Sequence, residues 1–194
     1  MAELTTLRHS PLEHLGDQLA QASRPDAVSL AQAPCTGMVG LRVDAAALVG
    51  ARVAAVLGAS LPTTCGGVTG AGAHQTLWLG PNEWLVVTTA DPVALADQLT
   101  AALGDDPGLA LDLSANRTVL ELGGPRAREV LEKGCPADLH PRTFTPGHAL
   151  STTLARVPVL LWQTGDESYR LLPRSSFADY VARWLLDAMA EFTG

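Results

Sequence analysis

An apolar hairpin followed by an amphipathic helix occurs twice in this sequence. The first hairpin covers residues 77–88 and turns at a Gly-Pro-Asn segment, residues 80–82. The second covers residues 154–172 and turns at a Thr-Gly-Asp segment, residues 164–166. When the two copies are aligned, their apolar positions coincide apart from a slip of one residue. The chain is therefore predicted to consist of two similar halves.

In the first half, the elements around the hairpin follow the order β-α-β-β-α-β. Residues 39–43 alternate like a strand and lead into a helix for which Asp44 is the predicted cap. Asp91 and Pro92 are typical of a helix start, and residues 109–113 supply the last strand. The residues predicted to face inward from the two helices are Leu48, Val49, Val53, Val56, Leu57, Leu95, Leu99 and Leu103.

The second half repeats this order. Residues 118–122 are predicted to form a strand, a helix follows Gly124-Pro125, and residues 154–163 and 169–172 form the strands of the hairpin. The residues predicted to face inward from the helices of this half are Ala127, Val130, Leu131, Phe177, Tyr180, Val181, Trp184, Leu185, Ala188, Met189 and Phe192. A short helix is also predicted near the N-terminus, with Ser10 as its cap. Its inward-facing residues are predicted to be Leu12, Leu15 and Leu19.

These patterns predict an α+β fold. Two split β-α-β halves of ferredoxin-like type, spanning about residues 37–113 and 114–192, are expected to share one core. A short helical segment precedes them, so that residues 1–194 form a single domain. The alternative is that any two hairpins followed by helices look alike and that the chain contains no duplication.

Composition and charge argue against several classes of partner. The chain has 194 residues, 47% of them apolar, and 13 basic against 20 acidic residues give a net charge of -7. An acidic chain without a run of basic residues does not favour binding to nucleic acid.

The most apolar stretch, residues 45–57, is shorter than the roughly 20 residues of a membrane-spanning helix. No signal-peptide pattern is present, so we expect a cytoplasmic protein with reduced thiols at Cys35, Cys65 and Cys135.

No group of residues has the spacing of a catalytic or metal site. The glycine-rich segment 66–72 lacks the flanking elements and the lysine of a phosphate-binding loop, and it is predicted to be a flexible connection. Cys135, His140 and His148 match no familiar zinc spacing, and metal binding by them stays the alternative. We expect a binding or assembly module with no catalytic, cofactor-binding or metal-binding residue of its own.

The proline-rich segment 135–149 is the candidate interaction site. The residues predicted to contact a larger subunit are Cys135, His140, Arg142, Phe144 and His148. Arginine and phenylalanine are enriched at interface centres, and histidines donate to carbonyl groups without burying a full charge. Three prolines lower the entropy lost when the loop is held in one shape. The alternative is that the loop folds back on its own sheet, with Leu139 and Phe144 as plugs.

Five segments carry a more specific signal. They are Ser-Pro-Leu at residues 10–12, Leu-Trp-Leu-Gly-Pro-Asn-Glu-Trp-Leu at 77–85, Asp-Leu-Ser-Ala-Asn-Arg at 112–117, Lys-Gly-Cys-Pro-Ala-Asp-Leu-His-Pro-Arg at 133–142 and Arg-Ser-Ser-Phe-Ala-Asp-Tyr at 174–180. Together they resemble the gamma subunit family of heterotetrameric bacterial sarcosine oxidase. The resemblance covers nearly the whole chain in order, and residues 133–142 are its most specific part.

The resemblance implies a small, non-catalytic subunit of an alpha-beta-gamma-delta complex that oxidatively demethylates sarcosine to glycine. The methyl carbon passes to tetrahydrofolate or leaves as formaldehyde, and hydrogen peroxide is the other product. FAD, FMN and NAD are implied for the alpha and beta subunits and zinc for the delta subunit, with no cofactor in the gamma chain. The fold is implied to be similar to part of the folate-binding domain of the aminomethyltransferases.

That fold kinship raises two alternatives. One is a free-standing folate-binding protein similar to the aminomethyltransferases, although those relatives are longer and form their folate pocket from segments that this chain lacks. The other is a general scaffold outside sarcosine metabolism. Co-purification distinguishes these interpretations. Large flavin-bearing subunits would favour the sarcosine oxidase subunit, and folate bound to an isolated chain would favour the folate-binding protein. The absence of both would favour the general scaffold.

Overall fold

The computed structural model describes residues 9–34 and 36–193 in two compact units. The terminal unit combines the described residues up to Pro34 with residues 116–146 and 152–193, and the middle unit consists of residues 36–115 and 147–151. Cys65 and Cys135 are free thiols, whereas the prediction for Cys35 lies outside the described residues. Among the described helices, none has the length and apolarity needed to cross a bilayer.

The described helices and strands, in chain order, are α1 Gly16–Ala22, β1 Ser29–Gln32, β2 Gly37–Val43, α2 Leu48–Leu57, β3 Val68–Ala71, β4 His74–Gly80, β5 Glu83–Thr88, α3 Pro92–Leu103, β6 Gly108–Asp112, β7 Leu120–Gly123, α4 Ala127–Glu132, β8 Ala149–Leu154, β9 Val157–Gly165, β10 Ser168–Pro173 and α5 Ala178–Thr193. They form two five-stranded antiparallel sheets together with helices. The predicted α+β class is confirmed.

The middle unit contains one sheet with the strand order β3-β4-β5-β2-β6. Strands β4, β5, β2 and β6 with helices α2 and α3 have the split β-α-β connectivity, and β3 adds an edge strand. Strand β3 lies within the glycine-rich segment that was predicted to be a flexible connection. That prediction is wrong for residues 68–71, because the segment pairs in register with β4 from Val68 opposite Leu77 to Ala71 opposite His74.

Helix α3 follows its local signals. The Asp91 side chain accepts hydrogen bonds from the backbone N–H groups of Val93 and Ala94, and Pro92 occupies the first turn. The leucines predicted to face inward, Leu95, Leu99 and Leu103, are buried. They pack in one cluster with strand residues Val39, Leu41, Val43, Trp84 and Val86.

Helix α2 begins three residues later than the predicted Asp44 cap would place it. The Asp44 carboxylate accepts a hydrogen bond from the Ala46 N–H in a turn, and Ala47 is the N-cap residue. This shift places Leu48 at the first helical position with 85% of its surface exposed, so the prediction that it faces inward is wrong. Val49, Val53 and Leu57, which were also predicted to face inward from α2, are buried.

The sheet of the terminal unit has the strand order β1-β7-β10-β9-β8. Strand β1 pairs antiparallel with β7, from Ser29 opposite Gly123 to Gln32 opposite Leu120. The N-terminal segment thus supplies the strand that β6 supplies in the middle unit, next to the first strand of the split β-α-β arrangement. The sequence did not predict β1, since it has four residues and only Leu30 among them is buried.

The strand predicted over residues 154–163 is two strands. Ala155 and Arg156 have φ angles of 48° and 75° and turn the chain between β8 and β9. Two-residue hairpin turns need positive φ, and they usually carry glycine or asparagine, which are missing here. The turn predicted at residues 164–166 lies slightly later, at Asp166 and Glu167, because Thr164 and Gly165 still belong to β9.

The helices of the terminal unit bury most of the predicted face. The predicted residues that are buried are Leu12, Leu15, Leu19, Ala127, Val130, Leu131, Val181, Leu185, Ala188 and Met189. Phe177 and Tyr180 differ, with 38% and 49% of their surface exposed. Phe177 ends the 3-10 turn that follows β10, and Tyr180 lies in the first turn of α5.

Asp179, in the first turn of α5, links two segments of the terminal unit. Its carboxylate accepts hydrogen bonds from Arg183 Nε at 2.9 Å and pairs with His14 Nε2 at 2.7 Å. Hydrogen bonding from Arg183 first, and from His14 second, lowers the pKa of Asp179. A carboxylate with a lowered pKa stabilises the fold above its unfolded pKa of about 3.9, and the stabilisation is lost as the pH falls through the folded pKa.

Replacing Asp179 by asparagine is therefore expected to lower the free energy of unfolding at neutral pH. The difference from the wild-type protein shrinks as the pH falls below about 3.9 and closes below the lowered folded pKa, where the wild-type carboxylate is protonated in both states. Urea unfolding at a series of pH values measures it. Asp187→Asn, on the same helix, is the control. A difference between wild type and Asp179→Asn that stays constant down to pH 2.5 contradicts the assignment.

Candidate functional site

The candidate docking loop, residues 135–149, is anchored at its start by helix α5. Lys133 Nζ donates a hydrogen bond to the Ala188 carbonyl, pairs with Glu191, and lies 4.7 Å from the centroid of the Phe192 ring. A Cβ atom on Gly134 would come within 2.5 Å of the Trp184 ring, so only glycine fits under that indole. The Lys-Gly pair therefore positions the first residue of the loop.

Cys135 faces the interior of the terminal unit. It is 9% exposed, its backbone N–H donates to the Leu131 carbonyl at 2.9 Å, and its Sγ atom lies 3.8 Å from Thr152 Oγ1. A thiol in this position packs against its own unit.

The tip of the loop is held by a network of hydrogen bonds. The Asp138 carboxylate accepts from the His140 N–H at 2.9 Å, and His140 Nδ1 accepts from the Arg142 N–H at 3.2 Å. The His140 N–H first, and the Thr143 side chain second, lower the pKa of Asp138. This turn leaves the side chains of His140 and Arg142 exposed.

The apolar residues of the loop turn the other way. Leu139 is 2% exposed and Phe144 is 3% exposed, and the Phe144 ring stacks on Tyr169 of β10 with centroids 6.5 Å apart. This is the packing expected if both residues act as plugs over their own sheet.

The predicted interface residues fall in both units. Cys135, His140, Arg142 and Phe144 belong to the terminal unit and His148 to the middle unit, where its ring lies beside Gly66 and the neighbouring Ala149 N–H donates to the Gly66 carbonyl. Of these five residues, His140 and Arg142 are exposed, His148 is half-buried, and Cys135 and Phe144 are buried.

Outside the loop, the described residues offer little for chemistry. Across residues 9–34 and 36–193, no cluster of three or more His, Cys, Asp or Glu side chains is placed to hold a metal ion. A shallow depression on the terminal-unit sheet contains Glu121 and Arg170. The Nε and Nη2 atoms of Arg170 donate hydrogen bonds to Glu121 Oε1 at 2.9 and 2.7 Å. The Trp162 ring lies 5.4 Å from the Arg170 guanidinium. These two charges neutralise each other.

One pair of charged residues was missed by the sequence interpretation. Arg117 and Arg174 form an isolated antiparallel bridge, although 56 residues separate them in the chain. The signal was present in the sequence, because Arg117 ends one of the five family-like segments and Arg174 begins another. Nothing in the spacing of the two segments indicated that they would meet.

Comparison with known structures first supports the fold. The chain is similar to the glycine cleavage system aminomethyltransferase T from Bartonella henselae, with a TM-score of 0.70 at 15% identity, covering 93% of this chain and 57% of that one. The predicted likeness to part of the aminomethyltransferase fold is confirmed.

Closer relatives identify the family. Residues 42–191 match the sequence profile described as sarcosine oxidase, gamma subunit family. The sarcosine oxidase subunit gamma of Arthrobacter sp is 49% identical over 193 residues, covering 99% of this chain and 95% of that protein. A chain of the heterotetrameric sarcosine oxidase from Corynebacterium sp. U-96, in complex with pyrrole 2-carboxylate, matches with a TM-score of 0.92 at 47% identity, covering 97% of both chains. The resemblance predicted from the five segments is confirmed, and the chain belongs to the sarcosine oxidase gamma subunit family.

Proposed function

We propose that this chain is the non-catalytic gamma subunit of a heterotetrameric sarcosine oxidase, assembled with alpha, beta and delta subunits. The complex oxidatively demethylates sarcosine to glycine and yields hydrogen peroxide with formaldehyde or methylene-tetrahydrofolate. The observation that carries the proposal is the match over 97% of the chain to a chain of a heterotetrameric sarcosine oxidase. At 47% identity, that similarity extends well beyond the fold.

In this proposal the redox chemistry belongs to the partner subunits. FAD, FMN and NAD lie in the alpha and beta subunits, zinc in the delta subunit, and tetrahydrofolate binds outside this chain. The role of the gamma subunit is to support assembly. Its described ion pairs, such as Glu121 with Arg170 and Arg52 with Asp106, join neighbouring elements of the fold.

The candidate docking loop is the first surface proposed to contact a larger subunit. His140 and Arg142 are its exposed members, and the turn around Asp138 fixes their backbone before binding. A loop whose backbone is held in advance loses less conformational entropy on association. Cys135 and Phe144 contribute from inside by holding the loop on its own sheet.

Affinity purification of the tagged chain from its native host tests the proposed function. We expect three further subunits in equal amounts, flavin absorbance in the purified complex, and sarcosine-dependent formation of hydrogen peroxide. The same chain expressed alone is expected to be colourless and inactive. A tagged chain that purifies without larger subunits and carries bound folate instead would establish the aminomethyltransferase-like alternative. Partners that lack flavin and sarcosine oxidation would indicate a scaffold of another complex.

A further inference from the structure

Two arginines lie side by side where strand β10 leads into helix α5. The Thr118 N–H donates to the Pro173 carbonyl at 3.1 Å, and the Ser175 N–H donates to the Asn116 carbonyl at 2.9 Å. These bonds fix the backbones of Arg117 and Arg174 next to each other. The Arg117 guanidinium is half-buried and donates from Nη1 to the Leu172 carbonyl at 2.8 Å, so its position is set by the sheet.

The two positive charges have no acidic partner within the described part of the chain. The ion pairs found among residues 9–34 and 36–193 include neither Arg117 nor Arg174. Burial, and secondarily the charge of Arg174, lower the pKa of Arg117, which is the direction expected for a cation held near another cation.

Two exposed aromatic side chains follow Arg174 in the chain, in the 3-10 turn and in the first turn of α5. Residues 175–177 form a 3-10 turn that begins directly after Arg174, so Phe177 is only three residues from Arg174 along the chain. Tyr180 follows at the next interval of three, and its hydroxyl donates to the Ala155 carbonyl at 2.9 Å. In the described part of the terminal unit, Phe177 and Tyr180 are the large apolar side chains that stay exposed.

We propose that Arg117, Arg174, Phe177 and Tyr180 form an arginine-aromatic docking patch for a carboxylate-bearing segment of a larger subunit of the complex. This inference rests on the proposed function and names a second contact surface beside the candidate docking loop. The patch belongs to the terminal unit, as do residues 135–146 of the loop.

Charge complementarity specifies the occupant. Guanidinium groups bind carboxylates through paired, charge-assisted hydrogen bonds, and two adjacent guanidiniums favour a segment with an acidic residue over an apolar one. The two exposed rings add apolar area next to the charge, which a small free anion would not cover. Arginine, tyrosine and phenylalanine are also the residue types enriched in interface cores.

A competition experiment tests the patch in the assembled complex. Wild-type and variant gamma chains with different tags are co-expressed in equal amounts with the larger subunits, and the ratio of the two tags in the purified complex is measured. Arg174→Glu is expected to favour wild type by roughly tenfold or more, because it places a carboxylate against the carboxylate of the partner. Phe177→Ser, which keeps both charges, is expected to lose competition as well.

Two control variants separate docking from general effects of charge and folding. Arg174→Lys keeps the positive charge and is expected to compete within about threefold of wild type, since lysine loses only the paired geometry of arginine. Arg24→Glu makes the same charge change on an exposed arginine of the same unit that bonds only to nearby backbone carbonyls, and it is expected to compete equally.

The outcomes are distinct. Equal incorporation of Arg174→Glu and wild type overturns the patch, as does equal loss of Arg174→Glu and Arg24→Glu, or equal loss of Arg174→Glu and Arg174→Lys. Failure of the wild-type chain itself to enter a complex with larger subunits overturns the proposed function, and the inference with it. The inference is supported if wild type is favoured over Arg174→Glu and Phe177→Ser but not over the two control variants, and if the preference over Arg174→Glu shrinks as the salt concentration rises.

Discussion

Replacing Trp84 by alanine is expected to lower the free energy of unfolding by about 3 to 5 kcal/mol. Trp84 lies on β5 and is completely buried in the core of the middle unit, against the strands and the leucines of α3. Its indole Nε1 donates to the Pro62 carbonyl at 2.8 Å, so alanine leaves both a cavity and an unpaired acceptor. Because the ring belongs to a buried cluster with side chains of α2, α3 and the sheet, the cavity cannot close without moving the backbone.

Chemical denaturation of the purified chain measures this loss. Trp84→Phe keeps much of the ring and removes the hydrogen bond, and its expected cost is smaller, about 1 to 2 kcal/mol. Leu48→Ala is the matched control in the same unit, because Leu48 is 85% exposed and surface substitutions change stability by about 0.5 kcal/mol or less. A loss below 1 kcal/mol for Trp84→Ala would show that the middle-unit core is not packed around this ring.

The elements that the sequence predicted correctly are those set by local chemistry. Helix α3 starts where Asp91 caps it and Pro92 fits the first turn, and both signals lie within a few residues. The turn at residues 80–82 is specified by Gly80-Pro81-Asn82 in the same way. For such elements the sequence neighbourhood contains the interaction that determines the structure.

The elements that it missed depend on distant parts of the chain. Strand β1 is ordered by pairing with β7, about 90 residues away, and its own four residues carry little signal. The turn at Ala155 and Arg156 has positive φ angles without glycine or asparagine, so the two strands that it joins appeared continuous. These positions are determined by tertiary packing, which a single sequence does not display.

The candidate site shows the same division. Residue types identified the 135–149 loop and the family-like segments, but not the direction in which each side chain points. His140 and Arg142 are exposed because the Asp138 carboxylate holds the turn, and Phe144 is buried because Tyr169 offers a ring to stack on. The pairing of Arg117 with Arg174 requires β7 and β10 to be neighbours, which follows from the sheet order alone.

Separate substitutions in the loop are expected to divide stability from assembly. Phe144→Ala should lower the free energy of unfolding by about 3 to 4 kcal/mol, through loss of a buried ring and of its stacking on Tyr169. Arg142→Ala should change it by less than about 0.5 kcal/mol, because the Arg142 side chain is exposed and only its backbone N–H bonds to His140. Denaturation of each purified variant measures both values.

Assembly with the larger subunits is expected to show the opposite order. Arg142→Ala, which keeps the fold, should weaken incorporation into the complex by roughly tenfold if Arg142 contacts a partner at the centre of an interface. Phe144→Leu, which keeps an apolar plug, serves as the matched variant and should assemble normally despite a moderate loss of stability. If Arg142→Ala assembles as well as wild type while Phe144→Ala lowers only stability, the loop is a cover for its own sheet. The docking role would then rest on the arginine-aromatic docking patch, since that surface has charges that the gamma chain itself leaves unpaired among its described residues.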